Sequence, residues 1–292
     1  MRYEILHRSE YTYQNPVSIG HHLARLAPLQ LPNQRCEWHG LDIVPEPTNM
    51  MGHTDYFGNK SLFFAFHGSH KSLSVTAHSF VEVHAPVVPN PSQTTPWEVV
   101  RDAAHADSLT QDAAAGEFMY SSTLVRTGKL FSDYAAVCFS PGRPILEAAL
   151  DLNQRIYRGF KFDPTATDVA TPVEEAFEKR AGVCQDFAHI LINCLRSLGL
   201  PARYVSGYLE TLPPPGKVKL VGADASHAWV GLWCGTAHQW MDLDPTNNCI
   251  PGERHITVAY GRDFADVSPL RGVVYGSGQQ KMKVSVDVTP RR

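Results

Sequence analysis

The 292-residue chain has no run of roughly 18 apolar residues, so no membrane-spanning helix is expected. Met1 to Arg8 lack the apolar core of a secretory leader, which points to the cytoplasm. The six cysteines, Cys36, Cys138, Cys184, Cys194, Cys234 and Cys249, contain no C-x-x-C pair. Structural zinc spacing is therefore missing. Cys234 and His238 could share an ion, but no second ligand pair lies nearby, so no metal is expected. The even count permits disulfides, though a chain of this size without a leader does not need them. Acidic and basic residues nearly balance, 29 against 26, and no basic cluster stands out except Arg291-Arg292. Nucleic acid is thus disfavoured as a partner. The glycines are scattered; Gly272 to Gly278 has neither phosphate-loop nor dinucleotide spacing. No acidic stretch has calcium-loop spacing. No cofactor follows from any of this, and oligomeric state is not encoded in any visible pattern.

What is present is a globular balance: 43% apolar residues and 19% charged. Residues 1–87 read as β-rich. Leu73, Val75, Ala77, Val81 and Val83 alternate with polar neighbours, and turn signals recur at Asn15-Pro16, Pro32-Asn33, Gly58-Asn59 and Gly68-Ser69. Short strands with frequent turns predict a sandwich-like domain. Residues 88–96, with three prolines, read as a linker. Residues 97–292 then form a second, α+β domain with a core at about 143–250 and strands at its C-terminal end. Residues 97–125 are Ala-rich and predicted helical. Pro144 to Tyr157 and the stretch after Thr171-Pro172-Val173-Glu174 also read as helices. The latter should end at Gly182 as a left-handed residue. A further helix begins near Cys184 and is closed by Gly199 and Pro201. Residues 203–209, 226–233 and 239–244 read as strands.

In the helix from Cys184, Phe187, Ala188, Leu191, Cys194, Leu195 and Leu198 form one apolar stripe. Cys184 extends that stripe one turn upstream, so its thiol points inward. It also occupies the first turn, where unpaired N–H groups and the helix dipole favour an anion and lower a thiol pKa. Buried cysteine is equally a common core residue, the reading that suits Cys194.

A thiolate nucleophile needs a base, and the base needs an orienting group. On the strand at 226–233, His227, Trp229, Gly231 and Trp233 share one face; on the next, Trp240, Asp242 and Asp244 share one. A two-residue Gly235-Thr236 turn would set His227 opposite Asp244, within hydrogen-bonding range. A register slipped by two would make Asp242 the partner instead. Asp224 is a third carboxylate, ahead of the strand. Asp244 also reads as a turn residue before Pro245, and His227 as an ordinary half-buried strand histidine. Trp229, on the face of His227, is a candidate substrate-contacting wall or a plain core aromatic.

The segments G182-V-C-Q-D-F-A-H, S226-H-A-W-V and D244-P-T-N-N resemble the transglutaminase-like superfamily, within the papain-like group. The stretch Leu195 to Tyr208 resembles the family core. Residues 1 to about 85 resemble the β-rich N-terminal domain of bacterial transglutaminase-like proteins. Tyr260-Gly261-Arg262-Asp263 with Val267 to Gly272 resembles their C-terminal segment. The resemblance implies a papain-like helix packed on an antiparallel sheet, with Cys184 as nucleophile, His227 as base and Asp244 as orienting acid. It does not fix the reaction; the thiol, histidine and carboxylate chemistry predicts acyl transfer at a peptide or glutamine-type amide through a thioester, with a protein or peptide as substrate. Without a calcium loop or a visible regulatory insert, hydrolysis is the favoured outcome. Transamidation and a non-catalytic binding module are the alternatives, because the superfamily contains all three.

Overall fold

The computed structural model describes residues 1–106, 114–211, 225–276 and 278–291. Asp224 and part of the predicted 97–125 helix fall outside them. The first strand is very long: β1 (Arg2–Ala24) is flanked by β5 (His70–Val83) and β13 (Gln280–Arg291) over its first half, and by β4 (Lys60–Phe66) and β12 (Leu270–Gly276) over its second. β2 (Gln34–Val44) pairs with β5, and β3 (Asn49–Thr54) with β4. The expected turn at Asn15-Pro16 is the unpaired bend between these halves. Tyr3, Ile5, His7, Ser9, Tyr13 and Val17 are buried, and then Gly20, His22 and Ala24. The register shift between Val17 and Ile19 moves the inward set from odd to even positions. The two halves close over Tyr13, Val17, Leu26, Ile43, Phe64, Phe66, Leu73 and Val75, a sandwich-like core.

β12 and β13 follow the second half in chain order yet lie in the first sheet. A strand's partner is set by which edge is free, and β1 had one open edge along each half. The alternation of Val284, Val286 and Val288 shows one buried face but not which sheet receives it.

The second half is built on a four-stranded antiparallel sheet ordered β10 (Trp240–Leu243), β9 (Ala225–Trp233), β8 (Ala202–Leu209), β11 (His255–Gly261). Its helices are α1 (Trp97–Ala104), α2 (Lys129–Ala136), α3 (Ile145–Gly159), α4 (Val173–Lys179), α5 (Cys184–Ser197) and the short α6 (Phe264–Val267). Between α3 and α5, β6 (Lys161–Phe162) pairs in parallel with β7 (Ala181–Gly182). Ala228, Val230 and Leu232 of β9 pack with Leu191, Cys194 and Leu195 of α5 in one core, which also takes in Tyr3, Ile5, Val81, Val83, Val286 and Val288. The two parts therefore share a core. They also share hydrogen bonds along β11, an edge strand. Gln34 donates to Thr257 O (2.8 Å) and accepts from Thr257 N (2.7 Å); Asn59 does the same at Tyr260 (2.8 and 2.8 Å). Each side-chain amide occupies a place that a further strand would take.

Local signals were met in part. Pro144 stands just ahead of α3 and Gly199, in the left-handed region, closes α5. α4 begins at Val173 with no side-chain cap, because the Thr171 hydroxyl instead accepts from Asp168 N. The left-handed residue after α4 is Arg180 (φ 54°), not Gly182. The Arg180 guanidinium lies over the rings of Phe177 (4.3 Å), Phe160 (4.8 Å) and Tyr134 (5.0 Å), and this stacking holds a conformation that a non-glycine residue rarely adopts. Gly182 is required for another reason: a Cβ there would collide with the Asp186 carboxylate.

None of the described helices is long and apolar enough to cross a membrane. Val288→Asp places a charge in a fully buried position opposite Ile5. It should cost about 4 kcal/mol, seen as an early urea transition in which the sheet and α/β signals are lost together.

Candidate active site

Cys184 is the first residue of α5, after extended Val183. The Asp186 carboxylate accepts from Val183 N (2.8 Å) and from the Thr167 hydroxyl (2.6 Å), which fixes the chain at the helix entry. The Cys184 thiol is half-buried against the core and hydrogen-bonds to His227. Cys194, on the same stripe, is fully buried, and burial pushes its thiol well above the ordinary range. Position in the first turn and partial exposure both separate Cys184 from Cys194.

His227 Nε2 donates to Asp244 Oδ2 at 2.8 Å. That leaves Nδ1 for the thiol. The predicted partner is thus present, but the predicted register is not. The strands pair as Trp240 with Trp233 and Asp242 with Gly231, and residues 235–238 form a four-residue loop with Gly235 and Gln239 at positive φ. The two-residue turn is therefore overturned, and the pairing slips by two. A slip of two preserves the faces. His227–Asp244 and Trp229–Asp242 become diagonal rather than direct neighbours, still within reach of long side chains. Asp242 accepts from Trp229 Nε1 (2.9 Å) and is not the partner of His227.

Asp244 is fully buried. Its Oδ1 accepts from Thr246 N (2.9 Å) and Asn247 N (3.0 Å), forming the turn around Pro245. Its Oδ2 accepts from His227, from Asn247 Nδ2 (2.7 Å) and from His255 Nε2 (3.1 Å). Turn residue and orienting acid are both correct descriptions, one for each oxygen. Burial alone would raise the Asp244 pKa. The hydrogen bonds from His227 and His255 outweigh it and hold the carboxyl well below the usual range. Burial likewise opposes a charged His227, but its bonds to Asp244 and Cys184 raise it to about 10.

His255 and Asn153 were not anticipated. Gly252 N donates to His255 Nδ1 (3.4 Å), so Nε2 carries the proton given to Asp244. Asn153 of α3 donates to the Asp244 backbone carbonyl (3.2 Å). Two signals pointed to them. Asn153 interrupts the apolar stripe of Ala149, Leu152 and Ile156. Gly207, mid-strand, faces His227 across β8 and β9, and a Cβ there would strike the Trp229 ring. A glycine inside a strand marks such an approach, and here it lets Trp229 meet His255 (5.3 Å) across β8.

Trp229 is fully buried, its ring 6.0 Å from that of His227. It backs the histidines and offers little surface to a substrate. His189, in the same motif as Cys184, is buried; it accepts from Phe264 N, and burial lowers its pKa to about 4. Among the described residues, His227, Asp244 and His255 are the one set of three or more whose metal-ligand atoms lie within 4.8 Å of one another. A metal there would take the nitrogen by which Asp244 orients His227. Cys234 is buried with its thiol toward Leu232 O.

A thiol at a helix start, facing a histidine and a buried aspartate on an antiparallel sheet, defines a papain-like, transglutaminase-type site. Residues 3–82 match the bacterial transglutaminase-like N-terminal region, and residues 133–245 match the transglutaminase-like superfamily. An uncharacterized protein of Mycobacterium tuberculosis is 40% identical over 99% of this chain and 93% of its own length. The crystal structure of a candidate cysteine protease from Cytophaga hutchinsonii superposes with a TM-score of 0.74 at 21% identity, covering 100% of this chain and 92% of that one. A protein-glutamine gamma-glutamyltransferase of Pseudomonas aeruginosa is 33% identical over 120 residues, 38% of this chain and 18% of that protein. The chain belongs to the transglutaminase-like superfamily.

Asp244→Asn removes the charge that raises His227. The imidazolium that stabilises the thiolate is then weakened, so the rising limb of Cys184 reactivity moves to higher pH. Alkylation of Cys184 by iodoacetamide, followed by mass spectrometry across pH, measures this; an unmoved limb contradicts the assignment.

Proposed function

We propose that the protein is a cysteine-dependent acyl-transfer enzyme acting on peptide or glutamine-type amides. The observation that carries this is the Cys184–His227–Asp244 arrangement at the start of α5. His227 takes the thiol proton, and the imidazolium, held by Asp244, stabilises the thiolate. The sulfur attacks the amide carbonyl and forms a C–S bond. The Cys184 backbone N–H, in the first turn of α5, is placed to donate to the developing oxyanion. His227 then returns its proton to the leaving nitrogen as the C–N bond breaks, giving a thioester and a free amine or ammonia. An acceptor deprotonated by His227 attacks the thioester and releases Cys184.

Water is our favoured acceptor, which makes the protein a protease or amidase. A lysine amine is the second reading, supported by the likeness to the Pseudomonas aeruginosa gamma-glutamyltransferase. Substrate approach is proposed at the cavity lined by Leu124, Arg126, Thr171, Glu174 and Gln185, next in chain to Cys184. That cavity supports a covering role for part of the 97–140 segment. The six unpaired cysteines fit a reducing compartment, and we place the protein in the cytoplasm.

The test is incubation with glutamine-containing peptides, with and without a primary amine, read by mass spectrometry. Cleaved or deamidated peptides are expected, lost by at least about 10³-fold in Cys184→Ala. Amine adducts lost in the same variant would establish the second reading. Products unchanged in Cys184→Ala would refute both.

A further inference from the structure

A second cavity, of about 350 Å³, lies between the first sheet and the four-stranded sheet. That volume suits a small ligand. Neither Cys184 nor His227 lines it, although His255 and Trp229 do. Its chemistry centres on Arg203 and Asp242. The Arg203 guanidinium is stacked on Tyr260 (3.6 Å) and Trp240 (4.2 Å). This fixes its plane and leaves only its N–H edge available. That edge has no hydrogen-bond or ion-pair partner among the described residues, and Nε is buried and unpaired. Burial lowers the guanidinium pKa, with Tyr260 and Asp242 opposing. Leaving such a cation unpaired is costly, which argues for an anionic partner.

Asp242 stands beside it. Oδ2 is taken by Trp229, while Oδ1 accepts no hydrogen bond among the described residues. The two groups flank Gly231: a Cβ there would lie 2.9 Å from Arg203 Nε and 3.1 Å from Asp242 Oδ1. The missing side chain keeps an opposite-charge pair close but unjoined. The rest of the wall includes the apolar Pro32, Ile250, Pro251 and Met241, with His238 and His255.

The geometry points to a binding site for a free α-amino acid, its carboxylate on the Arg203 edge and its ammonium group on Asp242 Oδ1. A planar fork suits a carboxylate, and a carboxylate at a few ångströms suits the ammonium group of the same molecule. The site lies behind the catalytic histidine and shares its supports, so it is distinct from the place where an acyl group would be transferred.

The experiment uses the full chain carrying Cys184→Ala, so that binding is read without turnover and independently of the proposed activity. L-glutamine, L-lysine, L-leucine and L-phenylalanine are titrated to about 10 mM, which covers weak small-ligand sites, while the ¹⁵N resonance of Arg203 Nε–H and the indole resonances of Trp229 and Trp240 are followed. At least one amino acid should shift Arg203 and Trp240 saturably. Its N-acetyl and carboxamide derivatives, and formate alone, should each bind at least 10-fold more weakly. Arg203→Lys and the isosteric Asp242→Asn should weaken binding by a similar factor. Three results would overturn the assignment: no shift with any amino acid, equal binding of the blocked derivatives or formate, or binding unchanged in both variants. The direct Arg203 resonance keeps the test decisive if either variant fails to fold.

Discussion

The carboxylate of Asp244 is the point on which the second half of the molecule converges. A buried charge is tolerated only when hydrogen bonds replace its lost hydration. Here five donors do so: two backbone N–H groups of its own turn, the Asn247 amide, His227 from β9 and His255 from β11. α3 reaches the same residue through Asn153. Each donor comes from an element placed by the order β10-β9-β8-β11 and by the helices packed on it. The charge then acts on His227 through a single oxygen, Oδ2. Raising His227 is the electrostatic consequence of satisfying Asp244, so structural satisfaction and the raised histidine are one arrangement.

The N-terminal sheet contributes to that arrangement from a distance. Gln34 and Asn59 complete the open edge of β11, the strand that begins with His255. β1 is held on both sides by strands from opposite ends of the chain, and its inner face joins the core that packs on α5. A disturbance in the first sheet therefore has a physical route to the site: through β11 to His255, and from there to Asp244. The cavity containing Arg203 lies along the same seam.

Much of the site was legible because its signals are local or obey parity. First-turn placement of Cys184 follows from helix periodicity within one segment. His227, Trp229, Asp242 and Asp244 share a side by the two-residue repeat of adjacent strands. That inference survived a wrong turn type, since slipping by two residues leaves every face unchanged. The exact opposition did not survive, because loop length rests on the left-handed Gln239 as well as on Gly235, and glutamine gives no sign of that conformation. Gly182 misled for the converse reason: the left-handed role went to Arg180, stabilised by three rings distant in sequence.

By itself, then, the amino-acid order determined the identity of the thiol, the histidine and the aspartate, and the succession of a β-rich part and an α+β part. Helix stripes, strand parity and turn residues operate over a few positions, and those are the distances a linear reading covers. Tertiary structure alone decided that the last strands return to β1, that His255 and Asn153 hold Asp244, and that Trp229 supports rather than faces the site. Those outcomes depend on which sheet edge is open and which residue lies across two strands, and both are settled by packing between segments at opposite ends of the chain, as with Tyr3 opposite Pro290 or Arg2 opposite Arg291.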